Sequence, residues 1–215
     1  MSTAIFFPTR KLAEFFIPGP AGRIEVATTF PEKFTKKVVG VIFHPDPAQG
    51  GTMNNKVVTT VARALMILDV ATARFNFRGV EKSQGKVGGV ETGVEDANAV
   101  MRWLLRALPN YDVWLIGFSW GSYVAAKIAN QLSVERLISI APPVHHYDFT
   151  QFDEIHCPWL VIQGDEDEVV PAAEVLHFAA HPPSPLTLHI MHGVGHFFHG
   201  RLIELRDYLG KKLSD

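Results

Sequence analysis

Apolar residues along this chain fall into two alternating spacings. The first is the short, mainly apolar run: the β-branched Val38-Val39-Gly40-Val41-Ile42-Phe43, then Ala71–Phe77, Asp112–Ile116, Arg136–Ala141, Pro158–Gln163 and Pro185–Met191. Each predicts a strand, and the β-branched Val38–Phe43 run predicts one buried on both faces. Between them lie stretches with apolar residues at helical spacing. Val57, Val61, Ala64, Leu65 and Leu68 follow Asn54 and Asn55, either of which can cap a helix. Further helices are predicted over Ser122–Ala129, Val94–Leu108, Pro171–Ala180 (proline at its start) and His196–Leu213. Upstream, apolar runs at Ala4–Phe7 and Phe15–Ile17 precede an alternating Arg23–Thr28, with Pro18-Gly19-Pro20-Ala21-Gly22 between the last two, which predicts an N-terminal antiparallel hairpin. Strands alternating with helices give an α/β class: a doubly wound, mostly parallel sheet entered through the hairpin, with residues 1–215 as a single domain.

Composition narrows the function classes. Charged residues are 20% and the formal net charge is -2, so there is no electrostatic footprint for nucleic acid. Cys157 is the only cysteine, which excludes an internal disulfide. No apolar run approaches a membrane span, and the N-terminus lacks the charged and apolar regions of a secretory signal. The expectation is a cytoplasmic protein without membrane partners.

The candidate chemistry starts at Gly117-Phe118-Ser119-Trp120-Gly121, between a predicted strand and a predicted helix. A Gly-x-Ser-x-Gly in that context forms a sharp turn that aims a serine hydroxyl off the end of a sheet. A serine is a poor nucleophile without an adjacent base. In open α/β sheets, sites gather beyond the carboxyl ends of strands. Two loops there carry suitable groups: Gly164-Asp165-Glu166-Asp167-Glu168 with Val170-Pro171, then His192-Gly193-Val194-Gly195-His196-Phe197-Phe198. Along the chain the serine comes first, then the acids, then the histidines.

These stretches resemble the α/β-hydrolase superfamily over nearly the whole chain. Two more, His44-Pro45-Asp46-Pro47 with Gly50-Gly51 and Asn76-Phe77-Arg78-Gly79-Val80 with Lys82-Ser83, are similar to loops of a small lidless subgroup near the dienelactone hydrolases. The resemblance implies the α/β-hydrolase fold and a Ser119 nucleophile, with His196 as base and Asp167 as acid. Asp165 is the alternative acid because it lies closer to the strand end. The oxyanion hole would use the backbone N–H of Trp120 and that of Asp46, since the flanking prolines have none. The subgroup usually has a second histidine where this chain has Asp46, and a carboxylate beside an oxyanion is unfavourable unless it points away.

The implied function is hydrolysis of small carboxylic esters, thioesters included, through an acyl-serine, with no cofactor and no metal. The alternatives are a small-peptide hydrolase or acyltransferase using the same groups, or a hydrolase-fold binding protein without turnover. Only Pro142–Cys157 separates two strands where many relatives insert a lid, so an open pocket is expected, rimmed by Val144, His145, His146, Tyr147 and Phe149. The remaining acids of the 165–168 run read as solvated surface charge. Trp103, Trp114 and Trp159 read as core, Arg78 as part of an ion pair, and Cys157 as a packing residue. Gly193 and Gly195 argue against a metal site at His192, His196 and His199.

Overall fold

The computed structural model describes residues 6–33 and 35–214. The first two residues of the Ala4–Phe7 run lie outside them. Eight strands form one sheet in the order β1-β2-β4-β3-β5-β6-β7-β8. β1 (Ala13–Gly19) and β2 (Gly22–Thr29) make the hairpin, closed by Pro20-Ala21. β2 also pairs antiparallel with β4 (Ala71–Phe75), in the register Val26 opposite Phe75. From β4 onward the sheet is parallel: β3 (Val38–Phe43), β5 (Asp112–Phe118), β6 (Arg136–Ile140), β7 (Trp159–Gly164) and β8 (Leu186–Met191). Every residue of β3, β4 and β7 is buried, including the polar Thr72, Arg74 and Gln163, with Arg74 donating to the Met53 carbonyl at 2.9 Å.

Helices cover both faces. α1 (Lys56–Ile67) packs with α5 (Leu202–Lys212) on one side, through Val57, Val61, Leu65, Leu205 and Leu209. α2 (Val90–Ala107), α3 (Trp120–Ala129) and α4 (Ala172–Ala180) pack on the other. Asn55 caps α1, its side chain accepting from the Val57 N–H at 2.8 Å. Among the described residues, no helix is long and apolar enough to cross a membrane.

Several boundaries differ from the sequence reading, for identifiable reasons. α2 begins at Val90 rather than Val94, with Gly93 inside it. Glycine is tolerated there because a side chain would strike the Trp120 indole, 2.6 Å from the position of its Cβ. The last helix begins at Leu202, not His196. The residues before it turn repeatedly, with positive φ at Gly193, Phe198 and Gly200. Phe149 is core rather than rim: it is 1% exposed and packs with Phe152, Trp159 and Phe178. Residues 141–158 contain no helix or strand and run down onto α3 as a packed strap. Trp114 and Trp159 are buried, while Trp103 is half-buried between Phe7 and Phe15.

The glycine-rich stretch after β4 is fastened from two sides. Arg78 donates through Nε and Nη2 to Asp96 Oδ1 at 2.9 and 2.8 Å, and its N–H donates to Asp96 Oδ2 at 2.8 Å. Glu95 Oε2 also accepts from Nη2, at 2.7 Å. On the far flank, buried Glu25 accepts from Asn76 Nδ2 at 2.8 Å and pairs with Lys82 at 3.2 Å. Burial pushes the Glu25 carboxyl up, but the Asn76 and Lys82 partners outweigh it and hold it below its usual range.

Candidate functional site

The end of β5 delivers Ser119 into a turn with φ 52° and ψ -126°. A non-glycine residue at positive φ is costly, about 1–3 kcal/mol, and persists only where its surroundings over-determine it. Here they do. The Ser119 N–H donates to Ile140 O at 2.8 Å, and its carbonyl accepts from Ser122 N–H at 2.8 Å and Ser122 Oγ at 2.6 Å. A side chain at Gly117 would meet the backbone of Gly121 and Ser122, and one at Gly121 would meet the carbonyls of Phe43 and His44. The two glycines therefore let the turn close against the end of β3.

His196 reaches this serine from the loop after β8. Its Nε2 lies 3.0 Å from Ser119 Oγ, and its Nδ1 lies 2.9 and 3.1 Å from the two oxygens of Asp167. With Asp167 ionised, Nδ1 carries the proton and donates to the carboxylate, leaving Nε2 to accept from the serine hydroxyl. The imidazole is 3% exposed, set against Phe118 and Phe197 with ring centres 5.2 and 5.0 Å away.

Asp167 sits just past β7 with its side chain fully buried. Besides His196 it accepts from the N–H groups of Val169 and Val170 at 2.9 and 2.6 Å and from Gln163 Nε2 at 3.0 Å. Burial raises the pKa of this carboxyl, but the His196 ring and the two N–H groups prevail and hold it below the usual carboxylate range. Asp165 does not approach His196. It pairs with the exposed His192 at 2.7 Å and accepts from the Gly193 N–H at 2.7 Å. Glu168 Oε2 accepts from the His196 N–H at 3.0 Å. Three of the four acids in the 165–168 run thus grip the histidine loop, and of the two read from sequence as solvated charge, Glu168 is among them. Glu168 and Gln163 were missed by sequence reasoning. The one available signal for Gln163 was a polar residue ending a fully buried strand.

The loop after β3 carries Asp46. Its carboxylate accepts from the Ala48 N–H at 2.8 Å, capping a single 3-10 turn over Pro47–Gln49. The charge is thereby turned into its own loop. His44 anchors the loop: its Nδ1 donates to Pro45 O at 2.7 Å and its Nε2 accepts from the Phe77 N–H at 3.2 Å. Its ring is fully buried, and that burial pushes its pKa from 6.5 down to about 4, against a small upward push from the Pro45 carbonyl. An unfolded His44 takes up a proton near pH 6.5; the folded one does so only near pH 4. The neutral ring therefore favours folding fully above pH 6.5, and that contribution is lost as pH falls to 4. The expected loss is about 3 kcal/mol across this window. Urea midpoints followed between these pH values should show a steeper acid decline for the parent than for His44→Asn; equal slopes would contradict this assignment.

Tyr147, on the 141–158 strap, stacks on Tyr123 with ring centres 4.7 Å apart. Burial and, after it, the Asp46 charge raise its pKa against a weaker lowering contact with the Trp120 side chain, so the phenol stays neutral beside the Ser119 turn. No group of three or more His, Cys, Asp or Glu among the described residues is disposed to hold a metal ion. His192 and His196 point to different acids, and burial raises the half-buried Cys157 thiol.

Comparison with known proteins agrees with this architecture. The family model described as "Alpha/beta hydrolase domain" matches residues 48–205. An alpha-beta serine hydrolase homologue from Coxiella burnetii is 48% identical, with a TM-score of 0.92 over 96% of this chain and 99% of its own. A serine hydrolase without lid from Xanthomonas campestris is 40% identical, with a TM-score of 0.90 over 96% of this chain and 94% of its own. An uncharacterized protein of Rickettsia prowazekii (strain Madrid E) is 33% identical over 92% of this chain and 89% of its own. With an eight-stranded sheet, a serine on the turn after its fifth strand and no lid after its sixth, this chain belongs to the alpha/beta hydrolase domain family.

Proposed function

We propose that the protein hydrolyses small carboxylic esters, thioesters included, through an acyl-Ser119 intermediate. The observation that carries this reading is the continuous chain of contacts from Ser119 Oγ through His196 to buried Asp167. Ser119 Oγ attacks the acyl carbon while His196 Nε2 takes its proton. The resulting oxyanion is stabilised by the N–H groups of Trp120 and Asp46. As the tetrahedral intermediate collapses, the bond to the leaving oxygen or sulfur breaks, and that atom recovers the proton from His196. A water then follows the same path: it loses a proton to His196, attacks the acyl carbon, and releases the acid and free Ser119. Asp167 holds the imidazole tautomer and stabilises the imidazolium at each stage. The Asp46 carboxylate, occupied by Ala48, leaves its own N–H free of a like charge aimed at the oxyanion.

The short strap over residues 141–158 supports a preference for small or exposed acyl groups. A fluorophosphonate probe should label the parent at one site and leave Ser119→Ala unlabelled. Absence of labelling, or equal labelling of both proteins, would refute the proposal.

A further inference from the structure

We infer that Glu168 is a positioning residue for His196, acting on its main chain while Asp167 acts on its ring. This deepens the proposed function and rests on it. The loop between β8 and α5 has little regular structure to locate His196: positive-φ residues stand at Gly193, Phe198 and Gly200, and the helix begins only at Leu202. The acid loop supplies the missing support. Its backbone reaches across at two points, Asp165 N–H to Met191 O and Glu166 N–H to Val194 O, both 3.2 Å. Asp165 then takes the Gly193 N–H, Asp167 the His196 ring and Glu168 the His196 N–H. Adjacent residues thus hold the two ends of one histidine. Asp167 orients the imidazole, and Glu168 fixes where the main chain starts it.

Gly195 provides an independent sign of the same contact. A Cβ there would lie 2.7 Å from Glu168 Oε2, so a side chain at 195 would push the carboxylate aside. Gly195 has no positive φ, so backbone conformation does not demand glycine. The N–H it accepts holds the Glu168 carboxyl below its ordinary range. Glu168 is exposed, and an exposed charge–amide contact adds little to stability. Its effect belongs in the rate. Its negative charge also favours the imidazolium that forms during turnover.

The rate of Ser119 labelling by a fluorophosphonate, followed from pH 5 to pH 9, tests this without knowledge of the natural substrate. Glu168→Ala is expected to slow labelling about tenfold, with thermal stability unchanged. Gly195→Ala, which displaces the carboxylate but keeps its charge, is expected to slow it to a similar extent. The double variant should be no slower than either single one, because both remove one contact. Glu168→Gln, whose amide oxygen can still accept, should label near the parental rate while the acid limb of its profile moves down by a few tenths of a pH unit. Parental rate and pH profile in Glu168→Ala, or losses that multiply in the double variant, would overturn the inference. A parent that fails to label at all would instead overturn the proposed function.

Discussion

His196→Ala is expected to lower the turnover of a small ester such as 4-nitrophenyl acetate by on the order of 10⁵–10⁶. Among the described residues the imidazole is the one group hydrogen-bonded to the Ser119 hydroxyl, at 3.0 Å, so its removal leaves an ordinary alcohol that stays protonated near neutrality. Asp167→Asn should cost less, roughly 10⁴. The residue would keep its place, but the asparagine amide must share a pocket built from donors: the N–H groups of Val169 and Val170 and the Gln163 amide. An amide NH₂ placed toward His196 would favour the tautomer with Nδ1 unprotonated, leaving Nε2 unable to accept from serine. The ranking matters more than either value: His196→Ala should lie well below Asp167→Asn, and Asp165→Asn close to the parent. Steady-state kcat for the three variants checks it. Turnover by His196→Ala within tenfold of the parent would remove His196 from the mechanism, and a severe loss in Asp165→Asn would point to the other acid.

Arg78→Met is expected to destabilise the fold by about 3–5 kcal/mol. Asp96 is wholly buried, and it receives two bonds from the guanidinium and one from the Arg78 N–H. Removing the cation leaves a carboxylate in the interior with a single backbone donor. For a chain of this size each kcal/mol lowers the melting temperature by about 2–4 °C, so a fall on the order of 10 °C should appear in a thermal scan. Replacing both partners, as in Arg78→Met with Asp96→Leu, should restore much of the loss, because the cost lies in the uncompensated charge. A melting temperature within 2–3 °C of the parent in the single variant would mean that the pair is not needed to hold the loop.

The pattern of apolar runs was enough to anticipate every strand of the sheet, most plainly β3, which is buried throughout and has no polar side chain, and less directly β4, with Thr72 and Arg74, and the partly exposed edge strand β8. The hairpin was legible in its alternation, though its turn is only Pro20-Ala21, with Pro18 and Gly19 of the expected loop paired inside the ladder. Helix starts were less so. α2 has no side-chain cap, only Gly89, and the glycine within its first turn is explained by Trp120, a contact invisible along the chain. The approach to α5 looked helical because apolar residues at Phe197 and Phe198 continued its spacing, yet the turns around Gly193 and Gly200 break it. For the candidate site, Ser119, Asp167 and His196 were legible through loop position and chain order. What the order could not carry was which of two acids faces which of two histidines. That depends on the β7–β8 register, which sets Gly164 opposite Met191 and brings Asp167 beneath His196 and Asp165 beside His192. The Asp46 side chain was ambiguous for a similar reason: its direction is decided by a one-turn cap two residues long in reach.

The conformation of Ser119 has a consequence for how this chain can change. A residue at φ 52° would sit more comfortably as glycine, which carries no Cβ to clash. Selection for robustness alone would therefore erode the position, and selection for turnover would restore it. The Ser119 turn is a place where foldability and reactivity pull against each other, with the rest of the sheet supplying the reserve that lets reactivity prevail.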